Sequence, residues 1–391
     1  MQEEKGKQLW NIEFIMVLII SCFSMCGSSF VTNIMSAFIV DELNGTAAQV
    51  GTLYSLMIFC AFLSRPLSGF LVDRIGRKKT LLTAMALSTI LNLLLLTRPN
   101  FFQLSVLRFL AGVPFALNSI SLATLIADTL PRERLAEGIG INAVITAILG
   151  SVVAPYLSFW FLDRYGYAFN FIFSAILTVI AMALIVILKY TDIKNPSIPF
   201  SVKTSFEPKV GWISLILALF FAGTPIIGSF SPLYANELGL ASRGTFFVFY
   251  GVGSLLTIPF NQRLVKKNWP NKAAMLALFL LTAGVAIIGF IRSIPAFLMG
   301  GFIIGTGFGI ASSTFQAMAL NMVSQEERGK CNATTQLGCD LGAVIGSTAF
   351  GYVAEATGSY QPQFSANAIF MLVPILLTKF VVLPHFQKKH L

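Results

Sequence analysis

Charge is what this chain has least of. Only 11% of its 391 residues are Asp, Glu, Lys or Arg, whereas a soluble domain is about one quarter charged. A soluble fold of this length could bury a large core but would still need a charged skin, which this composition cannot supply. Histidine is nearly absent, with only His385 and His390 in the C-terminal tail. No Ser/His/Asp set or His-rich metal cluster can be assembled from them, which argues against an integral membrane enzyme. The five cysteines, Cys22, Cys26, Cys60, Cys331 and Cys339, are odd in number and form no CxxC pair, so neither a disulfide framework nor a zinc site is expected. The glycines at 301, 305, 307 and 309 lie in an apolar run with no Lys-Ser/Thr behind them. Close helix packing explains them better than a phosphate loop. No metal, cofactor or direct ATP drive is expected.

What the chain has in abundance is hydrocarbon. Hydrophobic residues make up 55% of it and come in runs of about twenty, the length of helix that spans a bilayer core of about 30 Å. Breaking the chain at charges, Pro and Asn clusters gives spans near 12–38, 48–70, 80–97, 101–127, 138–162 and 168–190. A polar stretch from Tyr190 to Lys209 follows. Six more spans run near 211–235, 243–262, 273–292, 295–323, 332–355 and 362–383. The runs do not alternate as barrel strands would, so they are helices. The first run, beginning at Ile12, is too long for a signal peptide and lacks a small-residue cleavage site. The expected fold is all-α, with twelve transmembrane helices in two six-helix bundles, residues 1–190 and 211–391, and a linker over 191–210.

The net charge of +10 reads as topology rather than as a nucleic-acid footprint. Twenty Lys and Arg residues fall in the N-tail, the loops leaving even-numbered spans and the C-tail, against four (Arg98, Arg164, Arg243, Arg292) on the other side. The positive-inside rule then places both termini in the cytoplasm of a cell membrane, with some attraction to anionic lipid. A shift of about 193 residues overlays Pro66 on Pro259, Gly112 on Gly305 and Arg134 on Arg328. Two repeated halves around a hinge suit a carrier whose site lies between them near mid-membrane.

The most specific segment is Gly69-Phe-Leu-Val-Asp73-Arg74-Ile-Gly76-Arg77-Lys78-Lys79, between spans 2 and 3. Gly69 permits close helix approach, Gly76 a tight turn, and Asp73 stands at a helix end where it can meet a helix N-terminus or a basic partner. Here the chain resembles the major facilitator superfamily, whose loop signature is Gly-x-x-x-Asp-Arg-x-Gly-Arg-Lys/Arg-Lys/Arg. The resemblance extends to Arg108-Phe-Leu-Ala-Gly112 in span 4, and to Gly150 through Ser158 around Pro155 in span 5, a degraded antiporter motif. The segments around Asp340 and Asp128 to Arg134 also resemble opine-metallophore and sugar effluxers. It implies a monomeric secondary transporter working by alternating access, with Gly69, Asp73, Arg74, Gly76, Arg77, Lys78 and Asp128 as a conformational latch. It also implies that spans 1, 4, 7 and 10 line the cavity, where Asn33, Asn118, Thr224, Tyr234 and Gln316 stand, with Asn142 on span 5.

Ionisable residues inside a membrane cost about 2.5–3.5 kcal/mol each on insertion scales and are functional candidates. Arg108 in span 4 and Asp340 in span 11 lie within the core, and the repeat duplicates neither. Asp340 reads as a proton carrier or as a structural cap of span 11. Arg108 reads as an anion clamp, as a partner tuning an acid, or as a structural brace. Arg65 reads as snorkelling or latch-braced, and Glu13, Glu355 and Lys379 as solvated at the interfaces. The leading expectation is proton-coupled export of a small amphipathic or hydrophobic compound, the thirty-six Phe suiting a lipophilic substrate. Uptake of a sugar or metabolite, export of an opine-type metallophore, and a non-transporting sensor stay open.

Overall fold

The computed structural model describes residues 9–131, 134–192, 207–257, 270–324 and 327–384. Lys5 and Lys7, most of the polar linker, the loop from Pro259 to Lys267, Arg132, and His385, Lys388, Lys389 and His390 lie outside them.

The chain is all helical among the described residues. In order come α1 (Ile12–Leu43), α2 (Ala47–Ile75), α3 (Arg77–Leu94), α4 (Phe101–Asp128), α5 (Leu135–Ile148) and α6 (Ala154–Ile187). These are followed by α7 (Gly211–Ala222), α8 (Ser231–Glu237), α9 (Thr245–Leu256), α10 (Pro270–Phe290), α11 (Ile294–Asn321), α12 (Arg328–Thr357), α13 (Gln361–Phe370) and α14 (Leu372–Leu377). Ten stretches among the described residues are long and apolar enough to cross a bilayer. One of them, Glu137–Ile187, has 51 residues, far more than the roughly 20 a crossing needs. It leaves the helical region at Gly166 (φ 77°, ψ −178°), a conformation that favours glycine, and so comprises spans 5 and 6. With α9 as the described part of span 8, the twelve crossings are accounted for.

Two spans depart from the sequence reading. Span 2 continues to Ile75, about one turn further than its apolar run, so Asp73 is helical. Span 7 runs unbroken over Pro208–Glu237 but is irregular inside: α7 stops at Ala222, a π-turn covers Ile226–Phe230, and α8 resumes at Ser231. Pro225 has no N–H to give the carbonyl four residues back, and the Thr224 hydroxyl donates to that Phe221 oxygen instead, at 2.8 Å.

The residues divide into two compact units, 1–34 with 60–200 and 35–59 with 201–391; α1 and α2 each contribute to both. In the first unit, Phe14, Val17 and Ile20 of α1, Leu81 and Met85 of α3, Leu125 of α4 and Ile185 of α6 form one buried core. Ser174 of α6 donates to the Gly27 carbonyl of α1 at 2.6 Å.

In the second unit glycine faces set the packing. A Cβ on Gly338 would lie 2.6 Å from the Ser214 carbonyl oxygen, and one on Gly342 or Gly346 would collide with the carbonyls of Ala218 or Ala222. The four-residue step on both helices lets α12 lie directly on the backbone of α7. Gly305 and Gly309 of α11 face Tyr250, Ser254 and Thr257, while Gly307 faces α10. The span 10 glycines are therefore packing residues.

Candidate functional site

Gly76 is the hinge of the signature loop. Its φ of 109° lies where L side chains are strained, and it ends α2 and starts α3. A Cβ there would stand 2.6 Å from Cγ and 2.7 Å from Oδ2 of Asp192, so the turn requires glycine, and a side chain there would also displace the Asp192 carboxylate. Asp192 Oδ1 accepts the Lys78 backbone N–H at 2.8 Å, one of the donors that the first turn of α3 leaves unpaired, and its charge suits that helix end. The Lys78 ammonium then donates to the carbonyls of Val186 (3.1 Å) and Leu188 (2.8 Å), which the end of α6 exposes. Both contacts match charge to helix dipole.

Arg77 gathers the acids. Its Nε donates to Asp128 Oδ2 at 2.9 Å, while its Nη1 lies 3.6 Å from Asp73 Oδ1. A carboxylate at the C-terminus of α4 opposes that helix's dipole, and Arg77 offsets it. Tyr190 donates its hydroxyl to the same Oδ2 at 2.7 Å. Burial, reinforced by the hydrogen bond and charge of Asp128, pushes the Tyr190 phenol well above the ordinary tyrosine value, so it stays a donor.

Two signature residues stand apart. Arg74 sits over the Phe70 ring of its own helix, 5.4 Å from the centroid. Gly69, read in the sequence as a point of close helix approach, has nothing among the described residues within 4 Å of where its Cβ would be. The partners named above, Asp128, Val186, Leu188, Tyr190 and Asp192, all belong to the first unit. Tyr190 and Asp192 stand in the polar stretch of the sequence, where no local pattern signals them, because their contacts lie 62 and 114 residues away.

Arg108 in α4 and Asp340 in α12 are each 5% exposed, in the first and second units respectively. Gln336, one turn before Asp340, donates to its Oδ1 at 3.3 Å. Glu207, also read as part of the polar linker, is buried as well, at 6%, and its backbone N–H donates to Thr334 Oγ1 at 2.8 Å.

The cavity candidates divide between the units. In the first, Asn118 accepts from Ser24 at 3.2 Å, joining α4 to α1; Asn33 and Asn142 are half-buried on α1 and α5. In the second, Gln316 of α11 donates to Asn332 of α12 at 2.6 Å, and Thr224 donates to the Phe221 carbonyl that Pro225 leaves free within span 7. Tyr234 is fully buried between the rings of Phe297 and Phe364, with centroids at 5.2 and 5.4 Å, so it has no open face in this structure. Glu355 is exposed, as expected, and in addition accepts from Thr46 Oγ1 (2.6 Å) and the Ala48 N–H (3.1 Å), so it caps α2 from α12 inside the second unit. In the same seam Ser55 lies 2.5 Å from Ser347 Oγ and 2.6 Å from Thr348 Oγ1. Asp41 pairs with Arg243 at 2.8 Å.

The family model of the Major Facilitator Superfamily matches residues 17–347, and again 244–390. This chain belongs to the major facilitator superfamily. Among its relatives are the staphylopine export protein of Staphylococcus aureus, 22% identical over 90% of this chain and 92% of that protein, and the quinolone resistance protein NorA of the same species, 21% identical over 90% and 92%. The multidrug resistance protein MdtG of Salmonella choleraesuis is 25% identical over 81% of each. Among solved structures, the nucleoside transporter NupG superposes with a TM-score of 0.76 at 12% identity, covering 94% of this chain and 98% of that one. The human organic anion transporter MFSD10 gives 0.69 at 14%, covering 94% and 100%. The protein is therefore a multi-pass membrane transporter of the superfamily fold, and its relatives include efflux proteins.

Proposed function

We propose that this protein is a proton-coupled exporter of a small amphipathic or hydrophobic compound, working by alternating access in the cell membrane with both termini cytoplasmic. The observation that carries the reading is the buried carboxyl of Asp340 in a membrane-spanning helix, in a chain whose full-length relatives are named for export and drug resistance. A buried carboxylate in lipid is costly, and a site that can take up and give back a proton turns that cost into coupling. Arg108, the buried cation of the other unit, is its counterpart: it clamps an anionic group of the substrate or sets the charge balance of the cavity. Asn33, Asn118, Asn142, Thr224, Tyr234 and Gln316 supply the polar lining, Tyr234 only after a rearrangement that opens its aromatic cage. Asp73, Arg77 and Asp128, with the rest of the signature loop, act as the cytoplasmic latch.

A second reading, export of an opine-type metallophore, is favoured by the staphylopine exporter among the relatives and by Arg108, which suits a carboxylated cargo. Proteoliposomes separate the two. With an imposed pH gradient, a panel of amphipathic fluorescent compounds and carboxylated chelators is tested for pH-driven movement. The Asp340→Asn variant is expected to bind substrate but to lose pH-driven accumulation. Full coupling in that variant removes Asp340 from the mechanism.

A further inference from the structure

We propose that Asp192, with Tyr190, is a positioning residue of the signature latch, so that the latch ties the start of the central linker to the loop between spans 2 and 3. The inference rests on reading that loop as a latch. Asp192 is the second residue of the linker expected over 191–210, and four contacts place the segment from Leu188 to Asp192 against the loop and its Asp128 partner. The Asp192 carboxylate occupies the space left by the missing Gly76 side chain and accepts the Lys78 N–H at 2.8 Å. The Lys78 ammonium closes the end of α6 through the Leu188 carbonyl at 2.8 Å. The Tyr190 hydroxyl shares Asp128 Oδ2 with Arg77.

These contacts are mutually dependent. Gly76 can hold its φ of 109° without Asp192, but the first-turn N–H of Lys78 would then lose a charged acceptor at a helix N-terminus. Without Tyr190, Asp128 would keep one donor of two. A static charge run on a loop would not need a glycine shaped to a carboxylate more than a hundred residues away.

The test uses the full chain, free of native cysteines, in proteoliposomes, with Asn33→Cys on half-buried α1 as a reporter of conformational state. Its rate of reaction with a membrane-impermeant maleimide is measured with and without Arg77→Ala, Asp192→Ala, Asp192→Asn and Tyr190→Phe. Asp192 is only half-buried, so its variants should fold; the thermal midpoint of each is recorded beside the labelling rate. The expected result is that Asp192→Ala moves the rate in the same direction as Arg77→Ala, by about three- to tenfold, as coupling of this size would give. Asp192→Asn, which keeps the acceptor, and Tyr190→Phe should move it less. If Arg77→Ala shifts the rate and Asp192→Ala leaves it at the wild-type value, the inference is overturned and the latch stands. If neither shifts it, the latch reading itself fails and takes this inference with it.

Discussion

Asp128 Oδ2 accepts from two donors, Arg77 and Tyr190, and only one of them can lose its proton at accessible pH. Tyr190 ionises above the usual tyrosine value because burial and the Asp128 carboxylate both disfavour a phenolate beside it. Since the folded value is raised, the phenol's contribution to stability is complete below the ordinary tyrosine value, about pH 10. It is lost as pH rises from there towards the folded value. An alkaline titration followed by near-ultraviolet absorbance should therefore show no difference between wild type and Tyr190→Phe while ordinary tyrosines ionise. The missing phenol should appear only at higher pH. A difference that grows already at the ordinary tyrosine value would mean that the hydroxyl faces water rather than Asp128.

At the scale of helices, glycine separates contacts that bear weight in this conformation from those that do not. Gly342 lies against the Ala218 carbonyl with no room for a Cβ. Gly342→Val should push α12 off α7 and cost about 1–3 kcal/mol, the usual range for overpacking, seen as a lower thermal midpoint in detergent. Gly69→Ala meets nothing within 4 Å and, in a helix, should leave the midpoint unchanged or raise it slightly. If Gly69→Ala instead lowers the midpoint as far as Gly342→Val does, the open space beside Gly69 is not a property of the folded protein.

The two glycines also show what could be read in advance. The signature loop was legible because its residues are consecutive and each carries its own physical demand, and the crossings were legible because lipid imposes length. The seat of Asp192, the cap that Glu355 makes on α2 and the aromatic cage around Tyr234 were not. Each depends on a partner far along the chain, and no local pattern reports it. The π-turn in span 7 lies between: Gly223, Pro225 and Pro232 are visible as helix disturbers, yet hydropathy sees only an even apolar run.

At the scale of the whole molecule, α1 and α2 each contribute to both compact units, since residues 35–59 group with 201–391 while the remainder of both helices groups with the first unit. A carrier that exposes its site to each side in turn must break one set of such contacts and make another. On the alternating-access reading proposed above, the seam of α2 with α12, inside the second unit, is the set that would have to open. It is closed by the Glu355 cap, by Ser55 against Ser347 and Thr348, and by Gly51, whose Cβ would strike the Ser347 carbonyl. The hydroxyls at 2.5 Å put Ser55→Cys and Ser347→Cys within reach of a disulfide, whose sulfurs bond at about 2.05 Å. In a background without other cysteines, mild oxidation of the double variant should cross-link the seam and stop transport in proteoliposomes, and a reductant should restore it. Each single variant should transport normally under both conditions. Near-complete cross-linking with transport undiminished would mean that this seam stays shut through the cycle, and the moving contacts would then have to lie elsewhere in the chain.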